Sequence, residues 1–296
     1  MSSMSDSHLL RAGEARASVM SLGAECRQWQ IGARDMLWAG DAAVWPCVAP
    51  VLFPVCGWSR DGLIRVGGTH HPMPVHGFAA QSCFAATRIS ESAMRFVLEA
   101  NATTRAHYPF NFVLTITYAL TPLSLDVGFK IENRDTQVMP YAVGLHPGFA
   151  VDWHAGPHRF VFEKEERAEV PVIARGGLFS SRRRPVPLQI NRLDLSPDLF
   201  AAEALCFLET RSRAFVLEGR DGRLRIEAPD FPHLVLWNRA TAPFLAVESW
   251  TGTGDPEGFE GSFLERPSMI HLEARASRIH HVRYFWEPLG RGQASP

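Results

Sequence analysis

"FVLTITYALTPLSLDVGFKI", residues 112–131, decides the fold class. Phe112, Leu114, Ile116, Tyr118 and Leu120 fall on every second position of the first half. Leu123, Leu125, Val127, Phe129 and Ile131 do the same in the second, alternating with Ser124, Asp126, Gly128 and Lys130. Side chains of a β-strand alternate between two faces, so each half reads as a strand with one buried and one wet face. "TPL", residues 121–123, reads as the short turn of a hairpin.

The same period recurs along the chain. Met94, Phe96 and Leu98 alternate with Arg95, Val97 and Glu99, and Leu224 and Ile226 alternate with Arg223, Arg225 and Glu227. "GRDG", 219–222, is a turn signal ahead of the latter, and "SRIHHVRYFW", 277–286, is a further strand candidate. The best helical candidate is "SPDLFAAEALCF", 196–207, with Ser196 as N-cap followed by proline. The 21 prolines and 23 glycines sit mostly between strand-like runs. One-sided strands with so few helices must bury their apolar faces against another sheet. The expectation is all-β: a sandwich of large antiparallel sheets. No Gly/Ser/Pro-rich linker or fixed repeat divides the chain, so residues 1–296 are expected to form one domain, with a core over about 20–286 and loose termini, "LGRGQASP" being the C-terminal tail.

Apolar residues make up 46% and charged residues 21%, the composition of a globular chain with a substantial core. The net charge of −1, from 30 basic and 31 acidic side chains, offers no basic field for a nucleic acid. The concentrated basic run, Arg182 to Arg184, reads as a solvated loop or as an anion contact. No apolar run approaches the length of a membrane span, and the N-terminus, with Asp6 and Glu14, is a poor signal peptide. Cys26, Cys47, Cys56, Cys83 and Cys206 form no CxxC pair and suit reduced thiols of a cytoplasmic protein. Monomer and homodimer both remain open.

Three segments invite chemistry. In "VGLHPGF", 143–149, Pro147 pushes His146 out of the helical region and so defines its ring direction, without saying what the ring meets. His76 stands in "PVHGF", 74–78, and alone reads equally as an ordinary loop histidine. Glu248 lies in the apolar run "PFLAVESW", sharing a face with Ala246. A carboxylate there needs solvent, a partner or a function. The adjacent pairs His70–His71 and His280–His281 would point to opposite faces of a strand, and no HExxH occurs, so no metal site is expected. A GxSxG elbow and a phosphate loop are also missing, and "GTGDPEGFEG", 252–261, reads as a surface or binding loop.

Taken together, "PVLFPVCG", "PVHGFAAQSCF", "YPFNFVLTITYAL", "MPYAVGLHPGF" and "FLAVESWTGTGDPEGF" resemble, in order, the aldose 1-epimerase (mutarotase) family, in its LacX-like bacterial branch. The resemblance covers about residues 20–286. It implies a galactose mutarotase-like β-supersandwich with the sugar in an open cleft. It implies Glu248 as general base, His146 as general acid and His76 as a second histidine near the ring oxygen. The reaction it implies is interconversion of the α and β anomers of a free aldose by ring opening and closure. No cofactor is needed, because every proton is returned. A base and an acid acting together should give a bell-shaped pH profile.

The chain departs from the family pattern in places. "HGFAAQ" puts Ala80 and Gln81 where relatives carry a charged pair, and Glu203 in "EALCF" takes the place of an aspartate. Trp58 and Ser59 precede Arg60 after "FPVCG". Glu203, Trp58, Gln81, Arg60 and Trp250 are the expected substrate-binding residues, the tryptophans as stacking platforms or as packing. Two other readings stand beside the lead: a noncatalytic sugar-binding or regulatory protein on the same scaffold, and an epimerase of a hexose phosphate held by Arg60 or the arginine run.

Overall fold

A computed structural model describes residues 6–239 and 241–289. The opening hairpin forms as its period requires: strands Phe112–Leu120 and Ser124–Asn133 pair antiparallel, with Ile116 opposite Phe129 and Leu120 opposite Leu125. Leu114, Ile116 and Tyr118 of the first strand and their partners Ile131, Phe129 and Val127 of the second are fully buried on one shared face. Ala93–Glu99 extends the sheet beside the first strand, and Ser277–Pro288 beside the second. Nine strands make up this sheet. Its far half includes the hairpin Ala214–Gly219/Gly222–Glu227, closed by Arg220 and Asp221 within the "GRDG" signal. His280 is buried and His281 faces out, as neighbours on a strand must.

A second sheet of six strands carries the site. Its central strand is Phe244–Trp250, paired with His233–Trp237 on one side and with Gly144–Leu145 and Gly148–Ala150 on the other. All seven residues of the central strand are buried. The two sheets share one core, where Phe149 meets Tyr284 at 5.1 Å and Tyr141 meets His280 at 5.9 Å. Each large apolar side chain so enclosed contributes about 1.5–3 kcal/mol relative to exposure. The all-β sandwich expectation holds.

Two local expectations fail. Residues 7–20, placed outside the core, form strands Ser7–Ala12 and Ala15–Met20 of a four-stranded sheet, and Leu10, Ala15, Ala17 and Val19 are fully buried. The alternation there runs through Ala and Ser and is too weak to read. The helical candidate at 196–207 forms only a 3-10 turn, Pro197–Phe200, and then a strand, Leu205–Phe207. Cys206 pairs with Val235, so the sheet edge overrides local propensity. Most of the proposed C-terminal tail, 290–296, lies outside the described residues.

Candidate active site

Glu248, His146 and His76 lie far apart in sequence and meet at the floor of one cleft. Their ligand-type atoms all lie within 4.8 Å of one another. The cleft holds about 530 Å³, within the range of small-molecule sites.

Each residue is aimed by its own strand or turn. Ala246, Glu248 and Trp250 alternate toward the cleft face while their neighbours pack behind. Glu248 Oε2 accepts a hydrogen bond from Trp250 Nε1 at 2.9 Å. His146 and Pro147 interrupt the strand that runs beside Glu248. The ladder resumes at Gly148, and the Pro147 carbonyl takes the N–H of Val247 at 3.0 Å. Proline has no N–H to continue the pairing, so the chain bulges here and presents the imidazole. A Cβ on Gly148 would lie 2.8 Å from the Trp45 ring, so only glycine lets the bulge approach that closely. His146 Nε2 then stands 3.2 Å from Glu248 Oε1.

His76 adopts a φ of +63°, uncommon for a residue with a side chain. Its N–H donates to the Gly57 carbonyl at 2.9 Å, and Gly57 N–H donates back to His76 Nδ1 at 3.1 Å. Gly77 follows at φ +79°, where a Cβ would fall 2.1 Å from the Phe53 carbonyl oxygen. This reciprocal lock settles the tautomer: Nδ1 accepts, so the ring hydrogen sits on Nε2.

Burial sets the electrostatics. It holds the Glu248 carboxyl well above the usual range, against the opposing pull of the Trp250 N–H. It holds His146 well below its usual range, helped by His76, and pushes His76 down to about 4. Glu248 and His146 therefore favour carrying one proton between them, since gaining or losing one would leave net charge in a sealed floor. Two histidines and a glutamate could in principle ligate a cation. A metal-bound histidine usually donates its other nitrogen's hydrogen to an acceptor, whereas His76 Nδ1 faces an N–H and His146 Nδ1 has no hydrogen-bond partner.

Trp58, Gln81, Glu203 and Trp250 line the cleft, and Arg60 does not. The Arg60 guanidinium lies against Asp61 and Glu260, at 3.6 and 3.2 Å, because its backbone N–H is anchored on Asp255 in a turn facing away. Trp58 is half-exposed, with its ring over Gly177. Glu203 is already engaged: Oε1 pairs with Arg184 Nε at 2.7 Å and Oε2 accepts from Ile173 N–H at 2.9 Å. Trp250 is buried, so its indole holds Glu248 rather than offering an open stacking face.

Sequence reasoning missed Trp45 and Trp237, which enclose His146 at ring separations of 4.9 and 5.7 Å. It also missed a buried clamp behind the rim. Arg266 Nε pairs with Asp255 Oδ1 at 2.8 Å, while its other nitrogens donate to Ser59 Oγ, the Trp58 carbonyl and the Thr253 carbonyl. Nothing local marks either feature: a tryptophan against a ligand and one against a core look alike in sequence.

The family model for aldose 1-epimerase matches residues 6–264. The chain belongs to the aldose 1-epimerase family. Its activity is of the mutarotase type, an isomerisation of a small sugar. Protein LacX of Lactococcus lactis subsp. lactis is 30% identical over 246 residues, 78% of this chain and 82% of the relative. A galactose mutarotase-like protein from Lactobacillus casei ATCC 334 superposes with a TM-score of 0.90 at 27% identity, covering 95% of this chain and all of that one. A galactose mutarotase related enzyme from Lactobacillus acidophilus gives 0.89 at 23% identity, with 95% and 97% covered, and speaks for the fold alone. This aldose 1-epimerase fold is therefore the sandwich that the strand pattern implied.

Proposed function

We propose that this chain interconverts the anomers of a free aldose, with Glu248 and His146 as its acid–base pair. The observation that carries the reading is the 3.2 Å contact between His146 Nε2 and Glu248 Oε1 at the cleft floor. A sugar hydroxyl that displaces this contact meets a proton donor and a proton acceptor side by side.

Burial favours the shared proton on Glu248, and the productive form is the one in which it has passed to His146, leaving Glu248 ionised. Glu248 takes the proton of the anomeric hydroxyl. His146 Nε2 gives its proton to the ring oxygen, the C1–O5 bond breaks, and the C1 carbonyl forms. The C1–C2 bond rotates, the C5 hydroxyl adds to the other carbonyl face, and both protons return. Nothing is oxidised, so no cofactor enters. His76, neutral with hydrogen on Nε2, donates to the substrate oxygen nearest it. Trp58 offers a ring face to the sugar, and Gln81 and Glu203 border it. A phosphorylated substrate is less well served. Of the cations singled out for phosphate, Arg60 and Arg184 are committed to carboxylates, and neither Arg60 nor any of Arg182 to Arg184, which form part of strand Phe179–Pro185, lines the cleft.

The chain is proposed to act as one domain, as a monomer or homodimer, in a reducing cytoplasmic setting. Five free cysteines, three of them buried, support that setting. Among the described residues no helix is long and apolar enough to cross a membrane.

Anomeric proton NMR on several free aldoses, wild type beside Glu248→Gln, tests the reading. Equilibration faster than buffer is expected, falling by about 10²–10⁴ in the variant. Retained rate in Glu248→Gln would remove the carboxylate from the mechanism.

A further inference from the structure

The acid role asks the His146 ring to carry a positive charge in a buried floor. Glu248, 3.2 Å away, is the anion against it, and Glu248 gives up that charge as it takes the anomeric proton. The other charged or titratable groups of the cleft give no help. His76 meets the ring at 5.6 Å and opposes a positive charge there. Arg239 is itself a cation, and Glu203 is neutralised by Arg184. Burial keeps Cys47 and Cys206 as neutral thiols. His146 Nδ1 has no hydrogen-bond partner through which the charge could be shared.

What does face the ring is Trp45, a residue of the cleft lining. Of the three rings against His146, Trp237 and His76 stand at 90° and 78° to it, while Trp45 lies within 32° of parallel at 4.9 Å. The indole therefore presents its π face to the imidazole. A cation within about 6 Å of an aromatic centroid is drawn to that face, most strongly for Trp and where water is absent. A neutral imidazole gains no such charge term, so the contact favours the protonated ring over the neutral one. The fold fixes Trp45 in this pose. Its carbonyl accepts from Trp38 Nε1 and from the Asp41 N–H, both at 3.0 Å. Arg27 Nη1 donates to the next carbonyl, that of Pro46, at 2.7 Å. Phe244 stacks on the indole at 5.2 Å and 28°. The bulge that presents His146 also brings it onto Trp45, because Gly148 has no Cβ to meet the indole.

We propose that Trp45 is a positioning residue for the acid: its π face stabilises the imidazolium of His146 and so draws the shared proton from Glu248 before the sugar ring opens. The step is a proton shift from Glu248 Oε1 to His146 Nε2, with nothing lost to solvent and no bond made to Trp45. The inference rests on the acid–base reading above and adds what offsets the burial of the charge.

The test leaves the shape of the indole alone. Tryptophan carrying one, two or three ring fluorines is placed at position 45 only, because fluorine drains the π face while hardly changing its outline. Trp45→Phe, Trp45→Leu and Trp45→Met are run beside this series. Anomeric proton NMR gives kcat and KM against pH for the free aldose that wild type turns over fastest. Across the fluorinated series kcat should fall stepwise, by about two- to thirtyfold in all, with KM little changed. Trp45→Leu and Trp45→Met should lose at least as much, and Trp45→Phe should recover part. The acid limb of the kcat profile should move down in pH, because a second proton on the pair meets a weaker face. The alkaline limb, set by loss of a proton held mainly on Glu248, should stay in place. Unchanged kcat across the fluorinated series would overturn the proposal. So would a loss confined to KM with both limbs unmoved, which would make Trp45 a platform for the sugar, or a Trp45→Leu indistinguishable from Trp45→Phe. Turnover retained in Glu248→Gln would instead sink the acid–base reading. In an enzyme that Glu248→Gln silences, the fluorinated series tests this inference alone.

Discussion

At the scale of the residue, the indole of Trp250 is the setting screw of Glu248. Its N–H donates at 2.9 Å to one carboxylate oxygen and favours the charged form that burial disfavours. Trp250→Phe keeps the ring and removes the donor, so the carboxyl should titrate still higher. A hydrogen bond to a charged group is worth about 1.5–3 kcal/mol, so kcat/KM near neutrality should fall roughly ten- to a hundredfold. The wild-type profile should be a bell: its acid limb comes when His146 and Glu248 take a second proton, its alkaline limb when they lose the one they share. In Trp250→Phe the falling alkaline limb should move up in pH, and an unmoved limb with unchanged rate would count against the role. His76 should contribute no limb near neutrality. Its ring is held down to about 4 by burial, and ring ¹⁵N shifts should report the Nε2–H tautomer throughout. A carboxylate in an apolar strand and a histidine pinned before proline stand out in the sequence as anomalies, but only the family resemblance attached roles to Glu248 and His146. Arg60 misled because its motif neighbourhood says nothing of which way a turn faces.

At the scale of the element, the rim is stitched by one buried ion pair. Arg266 and Asp255 are each 3% exposed and tie the 58–60 turn to the 253–255 loop. Replacing Arg266 by alanine would leave the Asp255 carboxylate buried and unpaired, at a cost of about 3–5 kcal/mol. Chemical denaturation should show that loss. At temperatures where the variant stays folded, KM should rise more than kcat falls, because the Trp58 wall loosens while the floor is untouched. Arg266→Lys, keeping the charge but not the fork, should recover part of both. Equal effects on kcat and KM would place the clamp's influence at the floor instead. The two ends of this clamp are distant in sequence and each sits in a glycine-rich or polar loop, so no local pattern announced it. The central strand was half hidden for a related reason. Phe244–Trp250 is covered on both faces and shows no alternation, so only the intruding Glu248 distinguished it.

At the scale of the whole molecule, the sandwich was legible because the long outer sheet has one wet face, and that asymmetry writes a period of two into the chain. Enclosure on the other side has a thermodynamic consequence. His233 and His280 are 4% and 0% exposed, and burial pushes each down to about 4. In the unfolded chain the same rings titrate near about 6.5. Between those values the unfolded state binds protons that the folded state refuses, so stability rises with pH across the window. Their contribution is complete above about pH 6.5 and is lost as pH falls toward about 4. Each histidine adds a slope of about 1.4 kcal/mol per pH unit. The raised carboxyl of Glu248 acts in the opposite sense, since the folded state holds that proton more tightly as pH rises above the usual carboxylate range. It partly offsets the loss on the acid side and erodes stability on the alkaline side. Urea midpoints measured at constant ionic strength should therefore fall from about pH 6.5 to about pH 4. His233→Gln should flatten that slope, because Gln can accept from the Glu209 N–H that His233 Nδ1 now takes without titrating. A midpoint that stays level through the window would mean that the buried rings are protonated in the folded state, and the dry interior inferred for this sandwich would have to admit water.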